Sequence, residues 1–258
     1  MRLAWVTHHL PRDTDSTNPA HLPGRYVGGA EMTDAALIDA APDGIDVDLL
    51  GPTEWEAALD ADDIVVTGTD LLPDEAMWAL AERKPAVFLH HAQTINSARG
   101  HLIECSRVLI VHTPAHLERE RRWVNPQRVE LILSPMDPAE CWTETKQDFA
   151  VWANRWHTLK GPRKAAMWAA QNGIDLVQLS NAPRKEVLAT MAKARWFVHL
   201  PVALESESRA TIEAVLSGCE CITNDNVGVT SVPGWNDPAH LAKLVSTAAD
   251  DWWQAVLS

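Results

Sequence analysis

Short apolar runs of strand length alternate with helix-patterned segments along nearly all of this 258-residue chain. In the first half the runs are Leu3–Thr7, Ile45–Leu49, Ile64–Thr67, Ala86–Leu89, Val108–Val111 and Val129–Leu133. Between most of them lie the helical candidates Gly28–Ala41, Pro73–Lys84, Gly100–Cys105 and Ala115–Val124. Ile45-Asp-Val-Asp-Leu49 alternates with a period of two, the pattern of a half-buried strand. A chain that returns to a strand after each helix builds a parallel sheet with helices on both faces.

The alternation breaks once. Residues 138–148 are polar and lack periodicity, so they read as a linker. It then resumes with strands at Phe149–Ala153, Ile174–Leu179, Trp196–Leu200 and Cys221–Thr223. Helices fall at Pro162–Asn172, Pro183–Ala194 (Asn181 as predicted cap) and Ser208–Ser217, with closing helices at Pro238–Ala248 and Asp251–Leu257. Pro162 opens and Gly173 follows the first of these, the usual asymmetry of helix ends. The expected fold class is α/β, with two Rossmann-like β/α/β domains facing each other across a cleft. The first domain spans residues 1–137 and the second 149–240, and the helices of 241–258 pack back on the first. The length suits two domains at roughly 100–200 residues each. With 46% hydrophobic and 22% charged residues the composition is globular, which excludes disordered, collagenous and disulfide-scaffold chains.

No apolar run approaches the ~18–20 residues needed to span a bilayer, and the start turns polar too soon for a signal peptide. The expected location is the cytoplasm. The four cysteines offer no CxxC pair, and Cys219 and Cys221 read as reduced, apolar core residues on one strand face. The net charge of -13 is unevenly spread: residues 155–209 carry nine Lys/Arg against four Asp/Glu, leaving a local excess of +5. That is the balance of an acidic chain with one anion site, not of a general nucleic-acid binder. The aromatic complement is dominated by 12 Trp. Trp5, Trp168 and Trp196 fit core positions, Trp252-Trp253 fits a docking helix, and Trp156 is placed to stack on a flat ligand.

In open α/β sheets, ligands bind at the carboxyl ends of the strands. Four groups of residues fall there. Glu205 precedes a helix and Glu213 lies in its second turn, where carboxylates can accept hydrogen bonds from vicinal sugar hydroxyls. Arg155 and Lys160-Gly161 lie between a strand and a helix and can clamp a diphosphate. Gly24-Arg-Tyr-Val-Gly28-Gly29-Ala30-Glu31 opens a helix whose first amides can meet an anion, although it is not a GxGxxG dinucleotide fingerprint. His90-His91 ends a strand, where an imidazole can bind a sugar or act as acid or base. Taken singly, each also fits a structural role: a solvated pair, a surface loop, a loop-to-helix turn, a satisfied histidine.

Taken together and in this order, the four resemble the retaining nucleotide-sugar glycosyltransferases of the GT-B architecture, in particular the GT4-like group (glycosyl transferases group 1). Gly28-Gly29-Ala30-Glu31 is similar to that family's glycine loop, and Pro85–His90 to its strand ending in histidine. Asn154-Arg155-x4-Lys160-Gly161 matches the family's phosphate clamp in spacing, with Asn154 in place of a glycine. Leu200-Pro201, then Glu205-x7-Glu213-Ala214 and Gly218, is the most specific element. The resemblance implies that Arg155 and Lys160 bind the donor diphosphate and that Glu213 holds the ribose. It implies that Glu205 and the amides near Ser206, Glu207 and Ser208 hold the transferred sugar. It implies that Gly28 and Gly29 close over the phosphates and that His90 sits near the sugar. Catalysis is then expected from His90, Glu205, Arg155 and Lys160, with no cofactor beyond a nucleoside-diphosphate sugar co-substrate and no metal.

The chain departs from the family at Glu207 and Ser208, where an aromatic residue and a glycine are usual. The three Asp-x-Asp triplets, at Asp13, Asp46 and Asp60, are no more than 19 aspartates produce by chance. The acceptor stays open: a small molecule, a glycan, a protein or a modified base in DNA. A catalytically degenerate nucleotide- or glycan-binding module is the alternative outside the enzyme class.

Overall fold

The computed structural model describes residues 1–10, 28–92, 94–154 and 158–258. It divides into two compact units, Met1–His112 with Leu117–Pro135 and Thr247–Ser258, and Thr113–His116 with Met136–Ser246.

The first unit is built on six strands: β1 (Arg2–Val6), β2 (Asp46–Leu50), β3 (Asp63–Val66), β4 (Ala86–Leu89), β5 (Val108–Val111) and β6 (Val129–Leu131). All pair in parallel, in the order β2-β1-β3-β4-β5-β6. Successive side chains of a strand point to opposite faces, so each apolar run feeds two cores. Ala4, Val6, Val87, Leu89, Leu109 and Val111 enter one core, beneath α3 (Asp74–Ala81) and α4 (Ser97–Cys105). Leu3, Trp5, Phe88, Val108 and Ile110 enter the other, with Leu37 of α1 (Gly29–Asp39). The polar alternation of β2 has its own cause: it is an edge strand, with Asp46 and Asp48 exposed. A one-turn helix, α2 (Trp55–Ala58), escapes the sequence patterns because four residues carry too little periodicity to register. Helix α5 (Pro114–Glu120) follows β5.

The second unit has a four-stranded parallel sheet of β7 (Gln147–Asn154), β8 (Asp175–Ser180), β9 (Ala194–Val198) and β10 (Glu220–Ile222), in the order β10-β9-β7-β8. The connections are α6 (Pro162–Asn172), α7 (Arg184–Lys193) and α8 (Arg209–Leu216). Two helix-end details differ from expectation. Asn181 does not cap α7; it adopts a left-handed backbone (φ 54°), which asparagine tolerates better than most residues, and Pro183 takes the cap position. The two expected closing helices are one, α9 (Pro238–Leu257). Nothing between Ala248 and Asp251 breaks a helix, and Thr247 Oγ1 bridges the join by donating to Asp251 Oδ2 at 2.9 Å. Its Trp252 stacks on Trp5 at 5.0 Å between centroids, and Trp253 donates its indole N–H to the Leu37 carbonyl at 2.8 Å. All four cysteines are free; Cys219 and Cys221 pack against the core, and burial raises both thiol pKa values, Cys219 to about 11.

Among the described residues, no helix is long and apolar enough to cross a membrane.

Candidate functional site

Each sheet reverses its strand order once, and chains leaving the strands on either side of such a point diverge and open a crevice. In the second unit the reversal lies between β7 and β9. Lys160 follows β7 and Glu205 follows β9, so two residues 45 positions apart meet there: Lys160 Nζ lies 2.6 Å from Glu205 Oε1. His199, just past the end of β9 and fully buried, brings its Nε2 to 3.0 Å from the same oxygen. Burial pushes the Glu205 carboxyl up, but the positive charges of His199 and Lys160 prevail and hold its pKa at about 2. His199 is a member of this group that the sequence analysis does not single out. It sits in an apolar strand run, and a histidine there carries no spacing signal.

The local backbone explains the meeting. Gly161 has φ +72°, a conformation costly for any residue with a Cβ, and a Cβ there would overlap the Leu200 carbonyl. Only glycine lets the turn before α6 lie against the end of β9. Val202 N–H donates to the Leu159 carbonyl at 2.8 Å and Trp152 Nε1–H to the Lys160 carbonyl at 3.2 Å, fixing Lys160 from both sides. The Glu205 segment is held in turn by a short parallel pairing with Val227. Glu205 N–H donates to Asn226 O, and Gly228 N–H to Glu205 O, each at 2.8 Å. A Cβ on Gly228 would strike the Ser206 carbonyl, so this glycine, which no motif flags, is needed for the close approach.

Ser206, Glu207 and Ser208 are all buried. Ser208 caps α8 with φ +75°, which gives a physical reason for a glycine at this place in the resembling family. Its Oγ lies 2.9 Å from Thr211 Oγ1. The Ser206 carbonyl accepts from Thr113 Oγ1 at 2.6 Å. Glu213, buried on α8, accepts from Arg184 Nε at 2.9 Å, and Arg184 Nη1 also lies 2.6 Å from Glu140 Oε2. Burial alone would lower the Arg184 pKa; Glu213 and Glu140 raise it beyond the ordinary arginine value. Arg209 goes the other way, drawn down by burial against the pull of Glu213 and Glu207. The second unit therefore gathers Lys160, Glu205 and the 206–208 turn, with Glu213 on the helix that the turn opens. Arg155 and Trp156 lie outside the described residues, as does the Gly24–Val27 part of the glycine loop.

In the first unit the reversal lies between β1 and β3. Gly28 caps α1 and Gly29 is its first residue. Five positions on, the buried Asp34 accepts from Thr7 Oγ1 and Thr67 Oγ1, both at 2.8 Å through Oδ2, while its Oδ1 lies 2.7 Å from His90 Nε2. Burial raises the Asp34 carboxyl, and the charge and hydrogen bond of His90 more than reverse that, so it stays below the usual carboxylate range. His9 packs edge-on to His90 at 5.0 Å between ring centroids, and its pKa falls to about 3, first through burial and then through the charge of His90. His91, half-exposed, lies 2.6 Å from Asp70 Oδ2. Asp34 and His9 are absent from the sequence-level site: a single Asp inside a helix and a His after an apolar strand have no distinctive spacing.

No protein-family model and no curated protein matches the chain. In three dimensions it is similar to several solved structures. Sucrose-phosphate synthase from Thermosynechococcus elongatus aligns at TM-score 0.62 and 12% identity, over 99% of this chain and 94% of that one. Anabaena HepE in complex with UDP-glucose aligns at TM-score 0.59 and 11% identity, over 99% and 95%. An alpha-glucosyltransferase in complex with UDP and a 13-mer DNA containing a HMU base aligns at TM-score 0.52 and 13% identity, over 100% and 92%. At such identities the likeness is one of fold, and the chain has the α/β fold of the GT-B glycosyltransferases, with Rossmann-like domains.

Proposed function

We propose that this protein is a retaining glycosyltransferase of GT4-like type that moves a sugar from a nucleoside-diphosphate sugar to an acceptor hydroxyl. The observation that carries the reading is the meeting of Lys160 and Glu205 at the strand-order reversal of the second sheet. A cation and a carboxylate at this position suit the two ends of a sugar-diphosphate. Two comparison structures with this fold add weight: HepE is seen with UDP-glucose, and the alpha-glucosyltransferase with UDP.

In this reading the incoming diphosphate takes Lys160 from Glu205 and, with Arg155, is held by it. The freed Glu205 carboxylate, ionised at neutral pH, accepts hydrogen bonds from the sugar hydroxyls. Amides of the Ser206–Ser208 turn donate to the same sugar, with Glu207 beside it. Glu213 releases Arg184 in part to accept from the ribose hydroxyls. Gly28 and Gly29 cover the phosphates, and His90, oriented by Asp34, serves the reacting sugar. As the glycosidic bond breaks, negative charge grows on the diphosphate, and fixed cations stabilise that charge more than the ground state. The leaving oxygen takes the proton of the acceptor hydroxyl, which attacks from the same face and retains the anomeric configuration.

The acceptor is tested by crossing nucleotide-sugar donors with small-molecule, glycan, protein and modified-DNA acceptors and weighing the products by mass spectrometry. A product with the donor's anomeric configuration is expected in one acceptor class. An inverted product overturns the retaining mechanism. Binding of a donor without release of nucleoside diphosphate in any pairing establishes the degenerate binding module instead.

A further inference from the structure

The ends of β1 and β4 carry His8, His9, His90 and His91, and the proposed transfer reaction draws on one of them, His90. One ring nitrogen each of His9 and His90 and one carboxylate oxygen of Asp34 all lie within 4.8 Å of one another. Asp34 reaches the group from α1, its side chain fully buried, and the His90 side chain is 3% exposed. Thr7 and Thr67 both donate to Asp34 Oδ2, which leaves Oδ1 turned to the histidines. His9 Nε2 is buried and has no hydrogen-bond partner among the described residues. An orphaned buried ring nitrogen costs roughly 1–3 kcal/mol, so its retention needs a compensating interaction.

We propose that His9, Asp34 and His90 form a binding site for a divalent transition-metal cation of the zinc type. Two imidazoles and a carboxylate are a ligand set that zinc accepts, and three protein ligands leave a fourth coordination position open. Calcium and magnesium favour all-oxygen shells, so the two ring nitrogens select against them. Tetrahedral zinc bonds of about 2.0–2.2 Å hold ligand atoms about 3.3–3.6 Å apart. His90 Nε2 and Asp34 Oδ1, now 2.7 Å apart, therefore open slightly once their hydrogen bond is gone, and a small turn of the partly exposed His9 ring brings in the third ligand. The threonine pair supplies the outer hydrogen bonds that fix a ligating carboxylate. On binding, the cation displaces the proton shared by His90 Nε2 and Asp34 Oδ1, and that proton leaves to solvent. The site shares His90 and Asp34 with the proposed transfer reading, but its test measures metal content and not turnover, so either can fail without the other.

The full chain is incubated with zinc or with magnesium, passed through gel filtration, and assayed for bound metal. One zinc per chain is expected in the native protein and in the exposed-surface control His240→Ala, with a rise in melting temperature from zinc and none from magnesium. His9→Ala, or the bulkier His9→Gln if the first does not fold, is expected to retain less than a tenth of that zinc with an unchanged circular-dichroism spectrum. Equal zinc in the native protein and a folded His9 variant, or none in the native protein, overturns the site.

Discussion

Gly161 is the residue on which the geometry of the second unit turns. Its positive φ and its contact with the Leu200 carbonyl leave no room for a side chain, so Gly161→Ala forces the Lys160 turn away from β9. The expected cost is about 2–4 kcal/mol, combining left-handed strain with backbone overlap, read as a drop in urea midpoint at constant slope. Glu205 makes a second residue-scale prediction. Its folded pKa of about 2 lies below its ordinary 4.5, so the pairing with Lys160 and His199 stabilises the fold fully above pH 4.5. That contribution, on the order of 3 kcal/mol, is lost as pH falls from 4.5 towards 2. Glu205→Gln is expected to be less stable than the native protein at pH 7 and to lose less stability on acidification. Parallel acid limbs for the two proteins would show that the carboxylate is not held this way.

At the scale of elements, α9 shows how one helix carries packing that its sequence only half reveals. The Trp252-Trp253 pair marks an apolar end, and the structure seats both against Trp5 and Leu37. Trp252→Ala removes a fully buried indole from that core and is expected to cost about 3–5 kcal/mol, seen as a lower denaturation midpoint of the first unit's signal. An unchanged midpoint would mean the helix end contributes no packing. The elements were legible in the sequence where patterns are long or uniformly apolar, as in β4, β5 and α6. They were less so where the signal is short or depends on distant partners. The one-turn α2 and the join within α9 belong to this second kind. The Glu205–Val227 pairing does too, because nothing in either segment announces the other.

For the molecule as a whole, the net charge of -13 coexists with a positive window whose best-defined member, Lys160, stands beside the most strongly depressed carboxylate of the second unit. The sheet order places that pair, and the sequence motifs name it; neither alone does both. Glu205, Lys160 and Glu213 were legible because strand-end residues at fixed spacing from a helix start leave a pattern. His199, Gly228, Arg184 and Asp34 were not, because their roles arise from contacts between segments far apart in the chain. The account rests on Lys160 and Glu213 as donor ligands. The measurement that bears on it most directly is nucleoside-diphosphate release from a panel of nucleotide sugars, with acceptors present, by the native protein, Lys160→Ala and Glu213→Ala. Release by the native protein is expected to fall at least about 100-fold in each variant, a loss of roughly 3 kcal/mol in transition-state stabilisation, with circular dichroism unchanged. Full release by both folded variants would contradict it.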